Sequence, residues 1–156
     1  MQSSDAATIR PARRADVPAI VALLADDPLG FTREASVDPL LQAYWQAFDD
    51  IAAQSGNHLL VAEHADTVIG CLQLTIIPGL SRRGMTRGLI EAVRVAAACR
   101  GLGVGERLIC HAIEVARAAG CGLIELTSDK SRADAHRFYE RLGFVASHVG
   151  MKLALA

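Results

Sequence analysis

The stretch Arg100-Gly101-Leu102-Gly103-Val104-Gly105 carries the most chemical content in this sequence. It follows an apolar extended run, Leu89 to Ala98, and precedes a run whose apolar residues recur at helical spacing: Val104, Leu108, Ala112, Val115 and Ala119. A Gly-rich turn at the start of a helix leaves backbone N–H groups without partners. The helix dipole adds about +0.5 charge at that end, so the turn suits a phosphate or diphosphate. Glycine also removes the Cβ that would stand between backbone and ligand, and it permits positive φ. The spacing therefore predicts a phosphorylated cofactor.

Three Gly-rich motifs compete for that turn. A P-loop needs Lys and Ser or Thr after its last glycine, and neither follows here, which excludes it. A dinucleotide fingerprint would begin at Gly101 and Gly103, but no third Gly completes it, although Glu125 stands about where a ribose-binding acid would. The third pattern, R-x-x-G-x-G after a strand, fits Arg100, Gly103 and Gly105.

Other reactive residues are dispersed. Cys71, Cys99, Cys110 and Cys121 form no C-x-x-C pair, and with the five histidines they show no metal-ligand spacing. Cys71 and Cys121 read as buried thiols, Cys110 as a helix residue among apolar neighbours, and Cys99 as partly exposed beside the turn. His111 and His136 read as helix-surface residues, and His58, His64 and His148 flank strands, so no metal and no Ser-His-Asp triad is expected. Asp26 and Asp27, at the end of an apolar helix, could attract a cationic acceptor. Phe31, Tyr44, Trp45 and the loop Pro78 to Gly84 could rim an acceptor pocket, with Tyr44 fitting a core stripe better than Trp45 does.

At 156 residues the chain reads as one domain, residues 1–156, long enough to bury ~70% of its unfolded surface. With 51% hydrophobic and 21% charged residues it is globular in composition. A net charge of -1 and no basic run give no support to nucleic acid as a partner. Met1 to Ala7 is polar and lacks the apolar core of a signal peptide, and no run reaches the ~20 apolar residues of a membrane span, so a cytoplasmic location is expected.

The elements that must position the turn follow from periodicity and punctuation. Thr8 to Arg10 reads as a strand stopped by Pro11, and Ala15 to Leu24 as a helix. A second helix is expected from about Asp38 to Gln54, burying Leu40, Leu41, Tyr44, Phe48 and Ile51. His58 to His64 and Val68 to Ile77 read as strands joined by the tight turn Ala65-Asp66-Thr67. The long helix closes at Gly120 and a strand follows at Leu123 to Thr127. A helix from Ala133 to Leu142 starts with a capping-box-like Ser131 and ends at Gly143, and Val145 to Leu155 reads as a last strand. The order predicts α/β class: a mixed, mostly antiparallel sheet with one βαβ crossover and helices on both faces.

With this order in place, the chain from Thr8 to about Lys152 resembles the GNAT superfamily of acyl-CoA-dependent N-acyltransferases. The resemblance rests on Arg100-x-x-Gly103-x-Gly105, on Ile90-Glu91-Ala92-Val93-Arg94-Val95 before it, and on Ala135 to Phe144, which is similar to the pattern A-x-x-F-Y-x-x-x-G-F. It implies that backbone groups of Arg100, Gly101, Leu102, Gly103, Val104 and Gly105 hold the diphosphate of acetyl-CoA. It also implies that Val93 and Val95 pair with the pantetheine arm as another strand would, and that Tyr139 addresses the thioester sulfur. Arg132 stands where the family often has Asn and could reach a phosphate; Ala97 stands where it often has Pro. A homodimer is a further implication.

Such a transfer needs a neutral amine, and an alkylamine with a pKa of ~10.4 must first lose a proton near pH 7. Glu91, expected to be partly buried on the strand that carries the thioester, is the candidate base, with its carboxyl raised by burial; pairing with Arg87 or Arg94 is the bland alternative. These readings make the protein an N-acetyltransferase acting on a primary amine of a small molecule, or of a peptide, by direct attack in a ternary complex. A non-catalytic acyl-CoA sensor or regulatory module is the alternative from another class.

Overall fold

A computed structural model describes residues 7–155; the stretch read as lacking a signal peptide lies, apart from Ala7, outside them. Five strands form one sheet in sequential order, β1 (Thr8–Pro11), β2 (Asn57–His64), β3 (Thr67–Ile77), β4 (Arg87–Val95) and β5 (Leu123–Leu126). The pairs from β1 through β4 are antiparallel, and β4 pairs with β5 in parallel across helix α4 (Val104–Ala118). The expected mixed sheet with one crossover is therefore the fold. Ala65 and Asp66 take φ of 46° and 59°, the left-handed pair that a two-residue hairpin needs.

Alternation along the strands builds two cores. Leu60, Ala62, Leu72, Leu74 and Ile90 pack on one face against Leu108, Ile109, Ala112 and Ala116 of α4. Val61 and Cys71 point to the other face, against Ile20 and Leu23 of α1 (Val17–Ala25). Strands apolar on both faces require this double cover. Leu108 and Ile109 are fully buried, each contributing about 1.5–3 kcal/mol of apolar transfer energy.

Several boundaries differ from the sequence reading. The second helix, α2 (Gln42–Ala52), starts after Leu40 and Leu41, with Leu41 extended at its N-cap (ψ 137°), and none of its residues is fully buried. A one-turn segment, α3 (Ser81–Gly84), has left-handed Arg82 and Arg83 and ends in Gly84. The apolar run before the Gly-rich turn leaves the sheet at Val95, and Ala97–Cys99 form a tight 3-10 turn. The last helix, α5 (Ala133–Arg141), has Arg132 at its N-cap position with no side-chain cap, and the Ser131 hydroxyl is drawn instead to Asp129, 2.6 Å away.

The expected last strand is absent. Residues 145–155 pair with no strand, and Val149, Met151, Leu153 and Leu155 are exposed. Alternating apolar residues report what a segment would bury, but a strand also needs a free sheet edge, and this segment runs past Thr127 without joining β5. Cys121 is only half-buried, against the expectation of burial, and Cys110 lies on α4 as expected with its side chain exposed.

Candidate active site

Strand β4 is paired on both sides only in its first half. Its parallel register with β5 runs from Arg87 opposite Leu123 to Ile90 opposite Leu126 and stops there. On the other side, pairing with β3 continues to Val95. From Glu91 onward β4 therefore presents an open edge where β5 would have been. The cause is local: Ala92 takes φ 54° and the β3 register slips nearby, which is a bulge.

The bulge also resets which way the side chains point. Gly88 and Ile90 face α4, and beyond the bulge Val93 and Val95 face the same core. Arg94 turns to the α1 side, where it meets Asp27. Simple alternation would have put Glu91 on the side of Val93 and Val95; the structure separates them. Glu91 is exposed rather than partly buried.

The Gly-rich turn closes on this edge. Gly101 and Gly103 have φ of 76° and 81°, left-handed values that explain glycine at both positions, and no atom lies within 4 Å of where a Cβ would stand on either. That open space, with no side chain capping α4, fits a ligand phosphate against the backbone amides. Leu102 is exposed and Val104 buried, so the turn is anchored by the helix and free at its tip. Gly105 meets both neighbours of the site: a Cβ there would stand 3.4 Å from Phe138 and 3.6 Å from Val95.

Tyr139 joins the group from α5. Its ring makes edge-on contacts with Phe138 (centroids 5.1 Å) and Phe144 (5.8 Å) at the margin of the α4 core. Burial pushes its phenol above the ordinary value, opposed by the positive charges of Arg94 and Arg132. Gly105, Val95 and Phe138 thus meet, and Tyr139 packs beside Phe138 at the margin of the core that Val93 also joins.

Two arginines fill the hydrogen-bonding positions on the open edge. Arg94 Nη1 donates to Val93 O (2.8 Å), and Arg100 Nε donates to Val95 O (3.2 Å). Arg100 Nη2 also donates to Asp26 O (3.0 Å), and Arg132 Nη2 donates to Asp27 Oδ1 (2.8 Å). Arg132 thus meets an acid through one of its five N–H donors. The Asp27 carboxylate is occupied by Arg94 and Arg132, which takes it away from a cationic acceptor, whereas the Asp26 carboxylate is exposed, 3.8 Å from Arg100. Sequence reasoning missed the Asp27 and Arg94 contact; no local signal links residues so far apart in the chain.

The expected acceptor rim is dispersed. Tyr44 donates to Glu34 (2.7 Å) and accepts from Ala35 N (2.9 Å), which folds the α1–α2 loop onto α2. Trp45 lies under the guanidinium of Arg14 and lines a cavity of about 440 Å³ with Pro18 and residues 36–40. A second cavity, about 220 Å³, lies between Phe48, Ile51 and Leu59. Neither is lined by β4 or Tyr139. Phe31 and Leu80 are exposed. Burial pushes the Cys71 thiol up to about 12, which removes it as a nucleophile at neutral pH. Among the described residues no three His, Cys, Asp or Glu side chains converge as a metal site, and no helix is long and apolar enough to cross a membrane.

Known proteins share this architecture. The family model described as the acetyltransferase (GNAT) family matches residues 17–144. Glucosamine 6-phosphate N-acetyltransferase 1 of Oryza sativa subsp. japonica is 33% identical, with 96% of this chain and 87% of that protein covered. The aminoalkylphosphonate N-acetyltransferase of Salmonella typhimurium is 33% identical over 73% of each chain. A crystal structure from Bacillus halodurans C-125, described as a transcriptional regulator, superimposes with a TM-score of 0.94 at 47% identity, covering 96% of this chain and 99% of that one.

Proposed function

This chain belongs to the acetyltransferase (GNAT) family and is an acetyltransferase, and we propose that it moves an acetyl group from acetyl-CoA to the primary amine of a small molecule by direct attack in a ternary complex. Membership of the family implies acetyl-CoA as cosubstrate. The observation that carries the proposal is the open edge of β4 beyond Ile90, with the glycine turn at one end and Tyr139 beside it. Its relatives by name acetylate amines that bear a phosphate or phosphonate, which supports a small-molecule acceptor over a peptide.

Each part of the site has a task in this reading. Backbone N–H groups from Arg100 to Gly105 hold the diphosphate, and Val93 and Val95 pair with the pantetheine amides along the strand edge. Arg132 belongs to the donor side through its place at the start of α5. When bound, acetyl-CoA supplies an activated thioester. A strand amide near Val93 or Val95 steadies the negative oxygen formed on attack. Tyr139 meets the departing thiolate. A phenol (pKa ~10) is a weaker acid than a thiol (~8.5), so full transfer is uphill by about 2 kcal/mol, and burial raises that cost. Tyr139 therefore donates a hydrogen bond, with the proton shared late. Glu91, on the exposed side of the bulge, takes the proton of the amine directly or through water.

The name of the Bacillus halodurans relative favours a second reading, an acyl-CoA sensor without turnover. Release of free thiol from acetyl-CoA across a panel of amines, amino sugar phosphates and aminoalkylphosphonates decides between them. Amine-dependent release is expected, and binding of acetyl-CoA with no stimulation by any amine would leave the sensor standing.

The same reading takes the chain as one catalytic domain, acting in the cytoplasm as a homodimer. The extended tail 145–155 supports the dimer: its large apolar side chains are exposed, and the outer edge of β5 is open. Light scattering is expected to give twice the chain mass, and a monomer at micromolar concentration would refute this assembly.

A further inference from the structure

The α1–α2 loop, residues 26–41, contains only one short 3-10 turn, Gly30–Thr32, and long irregular connections in compact domains tend to be functional. Its first two residues reach all three donor-side segments. Asp26 O accepts from Arg100 in the glycine turn. Asp27 meets Arg94 on β4 and Arg132 at the cap of α5. The carboxylate of Asp27 is 6% exposed, and its Oδ1 also accepts from the N–H groups of Leu29 (2.8 Å) and Gly30 (3.1 Å). Gly30 is dictated by this fold-back, since a Cβ there would meet Leu24 O at 1.8 Å.

One contact in the cluster is incomplete. Asp27 Oδ2 and Arg94 Nε are both buried and 2.7 Å apart, yet neither makes a well-directed hydrogen bond. Arg94 is meanwhile held by Val93 O through Nη1. The guanidinium is divided between the strand edge and the loop. A buried ion pair of poor geometry leaves free energy that a small rotation recovers.

We propose that Asp27 is a positioning residue that couples the α1–α2 loop to the donor site, with Arg94 as the divided element. This rests on the reading that the donor's pantetheine arm lies along Val93 and Val95. Once a ligand amide engages Val93 O, Nη1 is released and the guanidinium turns its Nε–H onto Asp27 Oδ2. That tightens the carboxylate which holds Leu29, Gly30 and Arg132. Donor binding thereby orders the α1–α2 loop, and it fixes the two cations whose charge reaches the Tyr139 phenol.

Hydrogen exchange of the full chain with and without CoA, in the wild type, Asp27→Asn and Arg94→Gln, tests the coupling. In the wild type CoA is expected to slow exchange both in residues 101–107 and, by about tenfold, at Leu29 and Gly30. Either variant is expected to keep the first effect and lose the second. Asp16→Asn, which disturbs a buried acid on β1's side of the sheet, is expected to keep both, and this separates coupling from general destabilisation. Protection of 101–107 without any change at Leu29 and Gly30 in the wild type overturns the coupling alone. So does CoA-dependent loop protection surviving in the variants. No protection of 101–107 in the wild type overturns the donor-site reading and the coupling with it.

Discussion

Arg10 on β1 and Arg94 on β4 both sit against buried carboxylates, but their surroundings differ in completeness. Arg10 donates to Asp16 through Nη1 (2.7 Å) and Nη2 (3.0 Å), and to Glu63 through Nε (2.9 Å) and Nη2. Asp16 also accepts from Arg13 N (2.6 Å), so both of its oxygens are hydrogen-bonded. Arg94 shares itself between Val93 O and an ill-directed Asp27. The first cluster fastens the sheet's β1 edge to the start of α1. The second lies between the glycine turn, the open half of β4 and Tyr139. Identical chemistry is saturated where the fold needs rigidity and left with slack beside the proposed donor site.

Three substitutions sharpen or break that contrast. The largest expected effect is at the saturated cluster. Asp16→Asn leaves Arg10 buried with less compensation and is expected to cost about 3 kcal/mol of stability in denaturant titration, with KM for acetyl-CoA unchanged. A rise in that KM would end the division into scaffold and site. Next comes Tyr139→Phe, expected to lower kcat by about 10²-fold while melting temperature and KM for acetyl-CoA stay near wild type. Unchanged turnover would remove the phenol from the mechanism and return Tyr139 to the aromatic cluster with Phe138 and Phe144.

The smallest effect is a titration. Burial pushes the Asp27 carboxyl up, but the Gly30 and Leu29 N–H groups and the charges of Arg94 and Arg132 outweigh it and hold it at about 2. This folded value lies below the ordinary carboxyl value of ~3.9, so the stabilisation is complete above about pH 4 and is lost as pH falls toward 2. The stability gap between wild type and Asp27→Asn is therefore expected to narrow by roughly 2 kcal/mol over that window. Equilibrium unfolding at stepped pH reads it, and a gap of constant size would show that the carboxylate is not the group involved.

Much of the site was legible because it is written in neighbouring residues. Gly101, Gly103 and Gly105 announce a turn into a helix, and the α4 stripe through Leu108 and Ala112 needs only its own period to be seen. The hairpin at Ala65 and Asp66 was equally local. The readings that failed depended on partners elsewhere. Residues 145–155 alternate as a strand does, yet no strand of this chain receives them. Glu91 was expected to be partly buried on the strand of Val93 and Val95, and it is exposed, with the bulge at Ala92 between it and them. An alanine gives no warning of a positive φ.

The sequence by itself determined the order of elements as far as α5, the glycine turn into α4 and the helix that carries Tyr139. Each follows from backbone freedom, side-chain period and capping within a few residues. Only the tertiary structure decided that β4 parts from β5 after Ile90, that Arg94 turns to the far face, and that Arg132 meets Asp27 across 105 positions of chain. Those outcomes depend on which distant groups satisfy one another once the sheet has closed. A register slip and a buried charge are settled by the partners folding brings, and one-dimensional spacing does not encode them.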